Sequence, residues 1–271
     1  MVPMMLKSLF SRVLNAGAAQ NSSGSLPQQE RPFRETLPGV LNQAAKAGIK
    51  PATVIDVGAA YGTFYTCCKS VYPEASYLLL EALEEYRPHL AAAVNNNSRT
   101  EIVYAAAARE SGTITFNVHP DLVGSSLYLE NEDSDVNGVP RQIPSVAIDE
   151  LVASRGLEGP YLVKIDVQGA ELDVMAGALK TLERTEYIIL EVSFFKFFCN
   201  GPEFKEIFTF MDEQGFVVYD LMGPMYRLLD DALSQIDVCF VKKESAVREH
   251  HFYATREQRE MQNKLFNPGR N

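Results

Sequence analysis

The stretch VIDVGAAYGTF, Val54 to Phe64, decides how this chain is read. An apolar, β-branched run enters a turn that holds an aspartate and two glycines, and a helical pattern follows. A strand–turn–helix of this kind delivers Asp56 and Gly58 to the carboxyl edge of a parallel sheet, where open α/β folds bind their ligands. Gly58 and Gly62 lack a Cβ, so the backbone can turn sharply and a ligand can lie against it. The helix beyond them presents free N–H groups. The spacing narrows the choice of ligand. A dinucleotide turn needs G-x-G-x-x-G, and a phosphate-binding P-loop ends in Gly-Lys-Ser/Thr. The order Gly58-Ala59-Ala60-Tyr61-Gly62 has neither the middle glycine nor the lysine.

Outward from this turn, β-branched runs alternate with helical patterns, the mark of an α/β fold with a parallel sheet. Helices are expected over residues 36–47, Thr63 to Val71 and Glu84 to Asn95, and over AELDVMAGALKTLE and EFKEIFTFMDEQG, the last ended by a glycine. The strands read as ATVIDV, SYLLLEA, TEIVYAAA, PYLVKIDV and EYIILEVS, with FVVYDL and QIDVCFVKK closing the sheet. The rhythm breaks once. GTITFNVH alternates like an antiparallel strand, and a polar loop from Glu130 to Pro140 leads into RQIPSVAI and a short helix, IDELVAS. The expected fold is an α/β, Rossmann-like, seven-stranded and mostly parallel sheet with helices on both faces, preceded by an N-terminal helical extension.

Residues 1–35 read as an amphipathic helix and a polar linker, 36–243 as the main domain and 244–271 as a charged tail. Leu6, Leu9, Phe10, Val13 and Leu14 share one helical face, which suits packing on the domain, on a partner or on a membrane surface. Lys7 and Arg12 interrupt the apolar run, so no signal-peptide core is expected. No run of about 18 apolar residues is present, so no transmembrane helix is expected either. A chain of 271 residues, 46% hydrophobic and 22% charged, has the composition of a folded domain. Its formal net charge of -10 argues against nucleic acid, which requires a basic face. The four cysteines form no C-x-x-C pair, so neither a zinc site nor a disulfide framework is indicated. Reduced thiols point to a cytoplasmic protein.

The order D-x-G-x-x-x-G resembles the first motif of the class I methyltransferases, which bind S-adenosylmethionine (SAM). The resemblance implies that Gly58, Ala59, Tyr61 and Gly62 cradle the amino-acid end of SAM and that Asp56 helps to hold it. Glu81 closes the second strand, where a carboxylate can accept the ribose hydroxyls of an adenosine, whether of SAM or of NAD. The small residues Ala105 to Ala108 leave room for a flat ring, with Ala106 beside the adenine. LVKIDVQGAELDVMAGA, Leu162 to Ala178, together with IPSVAIDEL and IILEV, resembles the FkbM family of methyltransferases. The likeness runs from about Val54 to Val192, with a compatible ending to Lys243. Gln168 stands where that family usually carries an acid. The resemblance implies SAM-dependent methylation of a hydroxyl on a sugar, glycan or natural product. The alternatives are an NAD-dependent oxidoreductase on a similar sheet and a non-catalytic SAM-fold binding or assembly protein.

Methyl transfer is largely a matter of alignment, but an alcohol must also lose its proton. The candidates for that chemistry are Asp166 and Glu191, at the ends of adjacent strands, and His119 in the inserted hairpin. Asp166 also borders the cofactor's methyl. The two carboxylates could hold magnesium or another hard divalent cation, or serve as base and polar wall; no metal site is predicted. Glu171 opens a helix, where its charge complements the dipole. The insertion from Thr113 to Val146 is expected to form the acceptor wall.

Overall fold

The structure is a computed structural model and describes residues 33–132 and 136–266. The expected amphipathic helix lies outside the described residues. In chain order the described elements are α1 (Leu37–Ala47), β1 (Thr53–Val57), α2 (Thr63–Val71), β2 (Ser76–Glu81), α3 (Arg87–Val94), β3 (Thr100–Tyr104), β4 (Ala106–Ala107), β5 (Gly112–Val118) and β6 (Val139–Val146). They continue with α4 (Ile148–Arg155), β7 (Tyr161–Ile165), α5 (Glu171–Ala176), α6 (Leu179–Glu183), β8 (Thr185–Ser193), α7 (Phe204–Glu213), β9 (Phe216–Tyr226), β10 (Leu233–Lys242) and α8 (Arg256–Phe266).

Seven strands form one sheet in the order β3-β2-β1-β7-β8-β10-β9. The first five in that order pair in parallel, and β10 runs antiparallel to both neighbours, as expected for the last strand. Every residue of β1 is buried, Asp56 included, because a parallel sheet is covered on both faces. One face buries Val54, Leu79, Leu162 and Ile189 against Leu41 of α1 and Phe64 and Cys68 of α2. The other buries Ile55, Leu78, Val163 and Ile188 against Leu151, Val174, Met175, Ile207 and Met211 from α4, α5 and α7. No helix among the described residues is long and apolar enough to cross a membrane. α8 carries no buried residue.

Three expected elements are divided. TEIVYAAA is not one strand: β3 stops at Tyr104, and Ala106–Ala107 join a second sheet of order β4-β6-β5. Ala105 to Ala108 are all buried, and with only methyl groups to place, the chain can leave one sheet and enter the other in two residues. The expected helix AELDVMAGALKTLE splits into α5 and α6 at Gly177 and Ala178, and residue 177 sits so close to β4 that a Cβ there would lie 2.1 Å from the Ala108 carbonyl oxygen. The helix expected from Glu84 opens as a 3-10 turn over Glu84–Tyr86, and α3 restarts with Pro88 in its first turn.

The turn after β1 is fixed by its neighbour on the sheet. Gly58 has φ +80°, and a Cβ on it would stand 1.9 Å from the Asp166 carbonyl oxygen at the end of β7. Gly58→Ala therefore adds backbone strain to a steric overlap, and we expect a loss of about 3 kcal/mol or more in stability. Urea denaturation checks this; an unchanged midpoint would show that the contact is not what demands glycine.

Candidate functional site

All the parallel strands end at one edge of the sheet, and the turn from Gly58 to Gly62 is built there almost wholly from internal hydrogen bonds. The Gly58 and Ala59 amides both donate to the Leu80 carbonyl at 3.0 Å, and the Gly62 amide donates to the Ala59 carbonyl at 2.7 Å. The Ala60 amide donates to Glu81 Oε2 at 2.8 Å, and the Leu83 amide donates to Oε1 at 2.8 Å. Glu81 thus braces the turn against the end of β2, a task its sequence position did not disclose. Burial raises its pKa, opposed by the hydrogen bonds from Leu83 and Ala60 and by the charge of Lys164. Both glycines also have close protein neighbours: Asp166 at Gly58, and Ala93 at Gly62, where a Cβ would come within 2.8 Å of the alanine's own. The Tyr61 ring meets Tyr86 and His89 edge-on. Ala106 belongs to the same apolar cluster as Ala59 and Leu83.

Below this turn lies a set of buried and half-buried charges. Asp56 is 1% exposed, and neither of its carboxylate oxygens has a hydrogen-bond partner. Burial lifts its pKa to about 6; Lys164 opposes this, while Asp166 and Glu81 add to it. Asp56 and Lys164 face each other in register across β1 and β7. The Lys164 ammonium lies 3.0 Å from Asp166 Oδ2. Burial alone would lower the lysine's pKa, but Asp166, Asp56 and Asp237 outweigh it and hold the pKa above the usual range. The Gln168 amide nitrogen donates to Asp166 Oδ1 at 3.1 Å and to Glu191 Oε2 at 3.0 Å, and the Gln235 amide nitrogen donates to the same Oε2 at 2.8 Å. Asp237 pairs with Glu191 across β8 and β10, and burial and the charge of Asp166 raise its pKa to about 7. Glu171 accepts from the Gly169 and Val167 amides, and burial raises it to about 7.

The insertion closes over this edge. His119, just past β5, has Nδ1 2.9 Å from Asp121 Oδ1, and the same aspartate oxygen accepts from the Gly124 amide. Ser126 Oγ donates to the Gln168 carbonyl at 2.6 Å, which ties the insertion to the turn after β7. Leu122 of the His119–Asp121 loop packs in the apolar cluster that holds Tyr61 and Tyr86, so this loop shares the side of the sheet that holds the first turn. Among the described residues, no group of three or more histidine, cysteine or acidic side chains is arranged to hold a metal ion.

Residues 56–218, well over half the chain, match the Methyltransferase FkbM domain. The chain belongs to the FkbM methyltransferase family. Its relatives include the 2-O-methyltransferase NoeI of Sinorhizobium fredii, 31% identical over 163 residues, or 53% of this chain and 65% of NoeI. The hexuronic acid methyltransferase AglP of Haloferax volcanii is 32% identical over 82 residues, 30% of this chain and 32% of AglP. Methyltransferase 1 of Beauveria bassiana is 22% identical over 185 residues, covering 61% of this chain and 72% of that protein. The match thus spans less than two thirds of the length of NoeI and about a third of AglP.

Within this FkbM domain, the structure gathers Asp56, Gly58, Ala59, Tyr61, Gly62 and Glu81 around one turn and links Asp166 to Glu191 through Gln168. His119 stands on the insertion above. Lys164, Gln235 and Asp237 were not foreseen. A signal was available: Lys164 interrupts the apolar LVKI, and Gln235 and Asp237 fall on the same face of a strand whose centre is otherwise apolar.

These buried acids set a pH dependence. Unfolded carboxylates release their protons near pH 4, whereas Asp56, Glu171 and Asp237 keep theirs to about 6, 7 and 7 in the folded chain. Between those limits the native state binds more protons than the unfolded one, so stability falls as pH rises; Lys164 stays protonated throughout and does not alter the sign. The urea midpoint is therefore expected to be higher at about pH 5.5 than at about pH 8, with a flatter dependence in Asp237→Asn. A midpoint that climbs over the same interval would contradict the assignment.

Proposed function

We propose that this chain transfers a methyl group from SAM to a hydroxyl oxygen on a sugar, a glycan or a similar polyol. The observation that carries the reading is Glu81, fixed by the Ala60 and Leu83 amides at the end of β2, inside an FkbM domain. Each of its oxygens accepts one of these bonds and keeps a lone pair that suits a ribose hydroxyl. The unpartnered, buried carboxylate of Asp56 suits the positively charged amino-acid end of SAM. The buried methyl groups from Ala105 to Ala108 suit a flat purine. The name borne by NoeI favours an oxygen acceptor and that of AglP a sugar acid, and the net charge of -10 speaks against nucleic acid.

When bound, SAM supplies an electrophilic methyl group. The chain's own task is to orient a hydroxyl toward it, to exclude water and to take up the hydroxyl proton. Asp166 and Glu191 offer carboxylates at adjoining strand ends for this. The insertion from Thr113 to Val146 supplies the acceptor wall, with His119 held toward Asp121 on its loop.

Calorimetry with S-adenosylhomocysteine and with NAD tests the cofactor. Micromolar binding of the former alone is expected, weakened ~10-fold or more by Asp56→Ala and by Glu81→Ala, the scale of a hydrogen bond to a charged group. Transfer from labelled SAM to methyl glucoside, methyl galactoside and methyl glucuronide then tests the reaction. Binding of NAD instead would move the reading to redox chemistry, and binding of S-adenosylhomocysteine with no transfer would make the fold a binding module.

A further inference from the structure

We infer that Gln168 and Gln235 position Glu191 so that its Oε1 oxygen receives the proton of the acceptor hydroxyl. The inference rests on the methyltransferase reading above and deepens it.

The hydrogen bonds divide the labour among the carboxylates. An ionised carboxylate can only accept, so both glutamine amides must turn their NH2 groups toward it. Gln168 spends its two protons on Asp166 Oδ1 and Glu191 Oε2, and Gln235 gives one to the same Glu191 oxygen. Glu191 Oε2 is thereby filled by two donors. No hydrogen bond reaches Oε1 among the described residues, and that oxygen is not among the sealed, unpartnered ones. Asp166 is engaged at both oxygens, by Gln168 at Oδ1 and by Lys164 at Oδ2. A new proton therefore has its natural place on Glu191 Oε1 rather than on Asp166. The Gln168 arm is itself held: the residue has φ +55°, and its carbonyl accepts from Ser126.

The surroundings favour uptake of that proton. Burial pushes Glu191 well above the usual carboxylate range, and the charges of Asp166 in the turn after β7, Asp237 on β10 and Glu171 on α5 add to it, while Lys164 on β7 opposes them. A carboxylate raised in this way is a stronger proton acceptor than a free one. As the hydroxyl oxygen bonds to the methyl carbon, the carbon–sulfur electron pair leaves with sulfur and the O–H pair stays on oxygen. The proton passes to Glu191 Oε1, and its later loss to water restores the carboxylate.

Two measurements separate this role from mere packing. In the free protein, carbon-13 carboxyl NMR follows the titration of Glu191, identified by the resonance that disappears in Glu191→Gln. Gln235→Leu removes a donor that favours the charged form, so the midpoint is expected to rise; Gln168→Asn, with a shorter arm and tolerance for positive φ, is expected to act likewise. In the transfer assay with the same methyl glycosides, Glu191→Gln is expected to lose ~100-fold or more in kcat. Its affinity for S-adenosylhomocysteine should stay within about twofold of the parent's. Asp166→Asn is expected to keep the acid limb of the pH–rate profile, moved to lower pH because a negative neighbour is gone. A Glu191 midpoint unmoved in Gln235→Leu would overturn the positioning role, and Glu191→Gln activity within ~10-fold of the parent would overturn the base. Bound S-adenosylhomocysteine without transfer to any of the glycosides would count against the methyltransferase reading and the base together, with the NMR titration still deciding the positioning.

Discussion

The site depends on Lys164, the cation set among the buried carboxylates at the carboxyl edge of the sheet. It faces Asp56 across β1 and β7 and bonds to Asp166 at the end of its own strand. Acids taken out of water without a compensating charge would give up their ionisation or force the strands apart. Lys164 lets Asp56 and Asp166 coexist one strand apart, and so lets β7 lie directly beside β1. That adjacency brings the Asp166 carbonyl against Gly58 and joins the two loops on which the proposed chemistry rests.

Around this pair the fold has a plain economy. The strand ends supply carboxylates, the glutamines join them, and backbone amides of the first turn hold Glu81. Little of the polar equipment comes from helix interiors. The turns have few backbone donors left over, since the Gly58, Ala59, Ala60 and Gly62 amides all have internal partners. Recognition of a ligand thus falls to side chains and to the unused lone pairs of acids, not to a nest of free amides of the kind a phosphate-binding loop offers.

What the sequence disclosed follows from how local each cause is. The strand and turn from Val54 to Phe64 were legible because the β-branched run and the two glycines lie within one short stretch. The antiparallel insertion was legible because the period of GTITFNVH changes to two. The division of TEIVYAAA was not, since alanine does not distinguish one sheet from another and the pairing of Ala106 with Ser145 lies far along the chain. Nor was the break between α5 and α6, where Gly177 lies against the carbonyl of the distant Ala108. Of the site, Asp56, Glu81, Asp166 and Glu191 could be named from strand ends, whereas the bridge through Gln168 requires the pairing of β7 with β8, and the support from Gln235 the register of β8 with β10.

The hydrogen bond from Ser126 to the Gln168 carbonyl has a wider meaning. It is a latch between the inserted hairpin and the edge of the sheet beneath it. Because the latched residue is the one whose side chain spans both carboxylates, a hairpin that is lengthened or reshaped transmits its new seating to those acids. Exchange of the hairpin between relatives would therefore succeed as a graft only where the serine and its landing point travel together, and the two segments should be inherited as a unit.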